Sequence, residues 1–198
     1  MDPEDYFHAA LDILTDFGPE SLTAARLCER LNVTKGSFYH HFQGMDDFVE
    51  SLADYRETIF NGLVSAVAAQ PDPVARVTFA VSLIAALPHE AEAAIRAWSH
   101  SNKVLQASQR RVDRSTMSIA ASTTSVFIDD PERSMCVARQ TIALIIGLQQ
   151  LEHPVDRAQL VHNLASFIEL TWGLTATTTE TTAGPVVEFT RTEAPNQN

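Results

Sequence analysis

Phe38 and Phe42 lie four residues apart, so on a helix they share one face, and Leu27, Leu31 and Val33 upstream supply apolar side chains to meet them. Thr23 has the chemistry of a helix cap ahead of Arg26, Leu27, Cys28, Glu29, Arg30 and Leu31. Asn32-Val33 then makes a tight turn into Thr34, a second capping residue, and the spacing predicts helix, short turn, helix. Lys35, Tyr39 and His40 point away from the two rings, which leaves a face of hydrogen-bond donors toward solvent.

A second helix with that outer face has the chemistry to meet a nucleic-acid backbone. Gly36 costs about 1 kcal/mol relative to Ala inside a helix, which suggests that another backbone comes close there. A helix start at Thr34 and Lys35 suits a phosphate, and the Tyr39 hydroxyl, one turn on, can donate to the next one. Base reading then falls to Ser37 and Lys35, with Thr23 or Ala24 at the start of the preceding helix.

The stretch from Gly18 to Phe48, with "TKGSFYHHF" at its core, resembles the tetracycline-repressor family of one-component bacterial transcription regulators. The resemblance implies an all-α chain: a three-helix helix-turn-helix domain, then a larger helical effector-binding and dimerisation domain, acting as a homodimer on a palindromic operator in double-stranded DNA. Carried over by position, Thr34, Lys35, Tyr39 and His40 look like phosphate or groove-edge contacts, while Gly36 and Ser37 approach the bases. Thr23 joins them from the preceding helix. Two departures motivate a second reading, a helical ligand-binding or protein-interaction module with weakened DNA binding. The first 22 residues carry six acids and no Lys or Arg, and Met45 stands where the family tends to place a phosphate-binding Lys. Between Thr23 and Phe42, however, Arg26, Arg30 and Lys35 outweigh Glu29.

A net charge of -11 argues against a non-specific polybasic coat for nucleic acid or membrane, and makes DNA binding depend on local geometry. Cys28 and Cys136 read as two buried, reduced thiols, which suits a cytoplasmic protein. No run of eighteen apolar residues exists, and the acidic start "MDPEDYFHAA" is unlike a signal peptide, so no membrane partner is expected. No nucleophile elbow, phosphate-binding glycine loop, dinucleotide-binding glycine run or zinc-protease motif is present, so no enzyme is expected. The histidines lack metal-ligand spacing, and neither a metal nor a cofactor is expected.

Helix signals continue along the chain to a count of nine, and domains are expected at 1–48, 49–173 and a disordered tail at 174–198. The tail reading rests on its Thr-rich composition. Within it "VVEFT" resembles an edge strand with nothing obvious to pair with. In the last two helices, apolar residues cover more than one narrow face, and Ile142, Ile145, Leu148, Leu164, Ile168 and Trp172 are the candidates for a homodimer interface. The resemblance also implies a small-molecule effector cavity among the fourth to eighth helices. Phe60, Phe79, Leu83, Trp98 and Met117 are its candidate apolar lining, and His100 is its candidate polar handle.

Overall fold

The structure, a computed structural model, describes residues 1–182 and 184–192. Among these are nine α-helices: α1 (Pro3–Phe17), α2 (Ala24–Arg30), α3 (Lys35–His41), α4 (Met45–Ala68), α5 (Pro73–Ala85), α6 (His89–Trp98), α7 (Lys103–Thr124), α8 (Pro131–Leu151) and α9 (Arg157–Trp172). A two-stranded antiparallel hairpin follows, β1 (Leu174–Thr181) and β2 (Gly184–Arg191).

Aspartates set several helix starts. Asp72 accepts from the Ala75 amide at 2.8 Å, Asp130 from Glu132 and Arg133 at 2.9 and 3.1 Å, and Asp156 from Gln159 at 3.0 Å. Each satisfies amide groups that a helix start leaves without a partner, and Pro73 and Pro131 follow where a missing N–H does no harm.

The chain packs as two compact units. The first comprises residues 1–62 and 88–113. Its core joins Tyr6, Phe7, Ile13 and Leu14 of α1 to Leu27 and Cys28 of α2, Phe38 of α3, Phe48 and Leu52 of α4, and Ala91 and Ile95 of α6. α6 belongs here because Ala91, Ile95 and Trp98 recur at helical spacing and give it an apolar stripe that packs on this core. The span 49–173 is thus shared between both units. Ile59, which fits the apolar stripe of α4 by spacing, is exposed, while Arg56 is buried and pairs with Glu92 of α6, its Nε 2.9 and 3.0 Å from the two carboxylate oxygens and its Nη2 donating to Oε2. In the low-dielectric interior two opposite charges are tolerated because each satisfies the other.

The second unit comprises residues 63–87 and those from 114 onward. Its core is mostly aliphatic: Val77 and Val81 of α5, Ile145 and Leu148 of α8, and Leu160, Leu164 and Ile168 of α9, with the Trp172 ring 5.5 Å from Phe127, closed by Leu174, Val187 and Phe189 of the hairpin. Here the expectation of a disordered tail is corrected over 174–182 and 184–192, while residues 183 and 193–198 lie outside the described residues. The Thr run is the missing partner of "VVEFT", with Thr178 opposite Val187 and Ala176 opposite Phe189. Thr is β-branched and suits a strand, and alternate positions of β2, Val187 and Phe189, are buried beneath it. Gly173, left-handed at φ 65°, ends α9 and turns the chain into β1. Two bonds fasten the hairpin to the helices: the Ala176 amide donates to Glu169 at 2.8 Å and the Phe189 amide to Thr78 Oγ1 at 3.2 Å. A two-stranded ribbon is marginal alone, and helix packing provides the support it needs.

Candidate nucleic-acid interface

α2 and α3 are short, so their placement depends on what clamps them. Thr23 Oγ1 accepts from the Arg26 amide at 3.2 Å and caps α2. The link to α3 needs one left-handed residue, and Asn32 takes φ 53°, a conformation that Asn tolerates better than most side chains. The Val33 amide then donates to the Cys28 carbonyl at 2.9 Å, and the Cys28 thiol lies 3.6 Å from the Thr34 carbonyl, tying the turn on both sides.

Rings hold α3 from below. Phe38 is fully buried, edge-on to Tyr6 at 5.9 Å and 5.2 Å from Phe42, which meets Phe48 edge-on at 5.0 Å. Such contacts favour defined angles, so the helix is oriented as well as buried. Tyr55 of α4 packs 4.8 Å from Phe7. Burial first, and the Glu4 charge second, raise the Tyr55 hydroxyl above the ordinary tyrosine range, so it stays protonated beside His8 Nε2 at 3.0 Å.

The outward side carries Thr34, Lys35, Gly36, Tyr39 and His40, all exposed, with Ser37 half-buried at the edge of the core. Tyr39 is 59% exposed although its ring also abuts Phe38 edge-on at 5.3 Å, so its hydroxyl stands on a supported ring. Thr23 is exposed beside α2. Three observations bear on the expectations here. Thr34 stands at the start of α3 but its side chain makes no capping bond. A methyl on Gly36 would meet only Thr34 Oγ1 at an ordinary 3.6 Å, so nothing in the described chain explains the missing side chain. Finally, Arg30 is bound to Asp12 and Asp16 of α1 at 3.2 and 3.0 Å, and Arg26 lies over the Phe17 ring at 4.0 Å. Two of the three expected cations are engaged, and among the described residues Lys35 is left without an ion-pair partner. Met45 is half-buried against the ring core, so it packs where the resembled family tends to place a charge.

The other candidate residues divide between the two units. Phe60 lies under the Arg56 guanidinium at 4.8 Å, Trp98 packs on the first unit's core, and His100, in the turn after α6, is exposed with Nδ1 3.1 and 3.2 Å from the Arg96 and Ala97 carbonyls. Phe79, Leu83 and Met117 are half-buried in the second unit. Of the interface candidates, Ile142 is half-buried, but Ile145, Leu148, Leu164, Ile168 and Trp172 are at most 9% exposed within this one chain. A side chain so enclosed by its own unit has little surface to give a second copy. The large exposed apolar residues of α8 and α9 are Met135, Leu151 and Leu170, the last two more than 80% exposed. Cys28 is buried as expected, whereas Cys136 is exposed. Sequence spacing missed Tyr6, which lies on the buried stripe of α1 through Ala9, Ala10 and Ile13.

Short helices joined by a left-handed turn, the second held by rings with its polar side outward, define a helix-turn-helix module. Residues 7–52 match the family described as bacterial regulatory proteins, tetR family. Over 54 residues the chain is 35% identical to the class A tetracycline repressor from transposon 1721 of Escherichia coli, covering 27% of this chain and 25% of that one. The class C tetracycline repressor of Escherichia coli is 39% identical over 56 residues, covering 28% of this chain and 26% of that one. The chain therefore matches about a quarter of the length of these curated relatives. The fold reaches further: a TetR transcriptional regulator from Legionella pneumophila superposes with a TM-score of 0.75 at 14% identity, over 87% of this chain and 97% of that one. Over residues 7–52 the chain is therefore similar to the N-terminal domain of the tetR family of bacterial regulatory proteins.

Proposed function

We propose that this chain is a sequence-specific transcription regulator, a repressor, that sets α3 into the major groove of operator DNA. The observation that supports this best is the outer side of α3: a free Lys35, a buttressed Tyr39 and a bare Gly36 on a helix locked by Phe38. Phosphate contacts fall to Thr34, Lys35, Tyr39 and His40, base contacts to Ser37 and Lys35, and Thr23 flanks them; these contacts position and read respectively. Gly36 admits the DNA strand.

A homodimer in the cytoplasm is the working form. Two copies of α3 must reach successive grooves about 34 to 36 Å apart, so the operator is a pseudo-palindrome. The exposed Leu151 and Leu170, with half-buried Ile142 and Phe167, are the side chains of α8 and α9 free to join a second copy. A small apolar or amphipathic ligand in the helical region beyond residue 48 adjusts DNA affinity, which requires that it bind one state of the dimer more tightly than the other.

The alternative, a related module with weakened DNA binding, is favoured by one observation: the pairing of Arg30 with Asp12 and Asp16 withdraws a cation from the DNA side. Fluorescence anisotropy with DNA flanking the gene, across a salt series and against unrelated DNA, separates the two. Saturable, salt-sensitive binding to one palindromic segment that Lys35→Ala or Tyr39→Phe weakens, with the dimer intact, establishes the regulator. Binding that neither substitution alters points to the module.

A further inference from the structure

Tyr6 is a full turn into the first helix and fully buried, yet its hydroxyl reaches the one half-buried side chain on the proposed reading edge of α3. Tyr6 Oη donates to Ser37 Oγ at 2.7 Å across 31 residues of sequence. The phenol has little freedom to choose otherwise: its ring meets Phe38 at 5.9 Å and Phe42 at 5.7 Å, both edge-on, with His41 at 5.8 Å. A phenolic O–H is the better donor and an alkyl hydroxyl the better acceptor, so the bond has a direction.

That direction has a consequence for Ser37. A serine hydroxyl holds one proton and two lone pairs, and its oxygen can occupy any of three staggered positions. Tyr6 selects the position in which the Ser37 oxygen faces inward, and occupies a lone pair there. The Ser37 proton is left over, and among the described residues no acceptor takes it. A serine on a helix commonly spends that proton on a carbonyl one turn back, where it does not face a partner.

We propose that Tyr6 is a positioning residue for base reading: by occupying one lone pair of Ser37 and leaving its proton unspent, it biases this contact toward a major-groove acceptor over an amino group. The acceptors are thymine O4, guanine O6 and the purine N7 atoms, and the disfavoured base is cytosine, which presents an amino group with no acceptor beside it. Serine by itself is ambivalent, since it can donate to one base and accept from another; the specificity comes from the buried phenol. This rests on α3 entering the major groove as proposed above.

The test is a random-sequence selection on double-stranded DNA with the whole chain as wild type, Tyr6→Phe, Ser37→Ala and the double variant, followed by anisotropy on single-base variants of the selected site. Tyr6→Phe keeps the ring and its contacts, and a thermal melt with circular dichroism reports folding; Ser37→Ala favours the helix and serves as the second probe. The wild type is expected to prefer an acceptor base roughly tenfold at one position of each half-site, within the range of a single good contact. Tyr6→Phe lowers that preference to about twofold at that position and leaves the others intact. Ser37→Ala does the same, and the double variant is no worse than Ser37→Ala alone, because both act through one hydroxyl. Uniform weakening by Tyr6→Phe across all sequences, or a position that Ser37→Ala flattens and Tyr6→Phe does not, overturns this inference and leaves DNA reading standing. A wild type that enriches no sequence overturns the DNA reading and this inference together.

Discussion

The head built from α1 to α3 and the C-terminal hairpin are both small pieces of chain that could not stand alone, and they are held by opposite means. In the head, Tyr6, Phe7, Phe38, Phe42 and Phe48 meet ring to ring, several of them edge-on, so each fixes the angle of its neighbour. The hairpin instead lays Leu174, Val187 and Phe189 on an aliphatic floor from α5 and α9, where contact is broad and non-directional. A surface that must present side chains in register to a partner needs directional packing. A cover that only keeps water from Ile168 and Trp172 does not.

Phe38→Ala should have the largest effect of any single change that tests this contrast. Removing a fully buried ring costs about 3 to 5 kcal/mol, and here it also frees Phe42 and Tyr6, so a thermal melt should show early unfolding and DNA binding should disappear. Phe189→Ala on the hairpin should cost less, about 3 kcal/mol or under, because a ribbon at the surface can settle into the space; DNA binding per folded molecule should survive. If the hairpin change proved the costlier in urea titrations, the assignment of rigidity to the head would be wrong.

Next comes Lys35→Ala, which leaves the melt unchanged but weakens DNA of every sequence alike and reduces the salt slope of binding by about one. Gly36→Ala separates folding from function most cleanly. With only an ordinary 3.6 Å contact awaiting a methyl group, the helix gains roughly 0.5 to 1 kcal/mol, while DNA affinity falls because the strand loses its closest approach. Unchanged affinity would show that no backbone comes near. Thr23→Ala is the mildest, about 1 kcal/mol from a lost cap, detectable as a small shift in melting temperature.

The readable parts share a physical trait. Helix starts at Asp72, Asp130 and Asp156, the Asn32 turn and the Phe38–Phe42 face are all local, determined by residues within a few positions of one another. The hairpin was hidden because its two strands look unlike: one is a Thr run that composition alone marks as unstructured, the other a short apolar stretch with no evident mate. Only the register that sets Ala176 against Phe189 reveals that each supplies what the other lacks. The α9 residues Leu164, Ile168 and Trp172 look available for a second copy for a similar reason. Helical spacing shows that a face is apolar but not which element reaches it first, and here elements of the same chain enclose it.

Charge shows the divide most clearly. Sequence alone identifies Arg26, Arg30 and Lys35 as a local excess of positive charge around the turn, and it determines the helix-turn-helix itself, because capping, turn chemistry and four-residue periodicity are short-range. Whether each cation is left free for a partner depends on what folds against it. Arg30 meets two aspartates from α1, Arg26 meets Phe17, Arg56 is sealed with Glu92, and Ser37 acquires a buried phenol from 31 residues away. Those partners are distant in sequence and bring contact energies with no local periodicity, so only the tertiary structure could assign them.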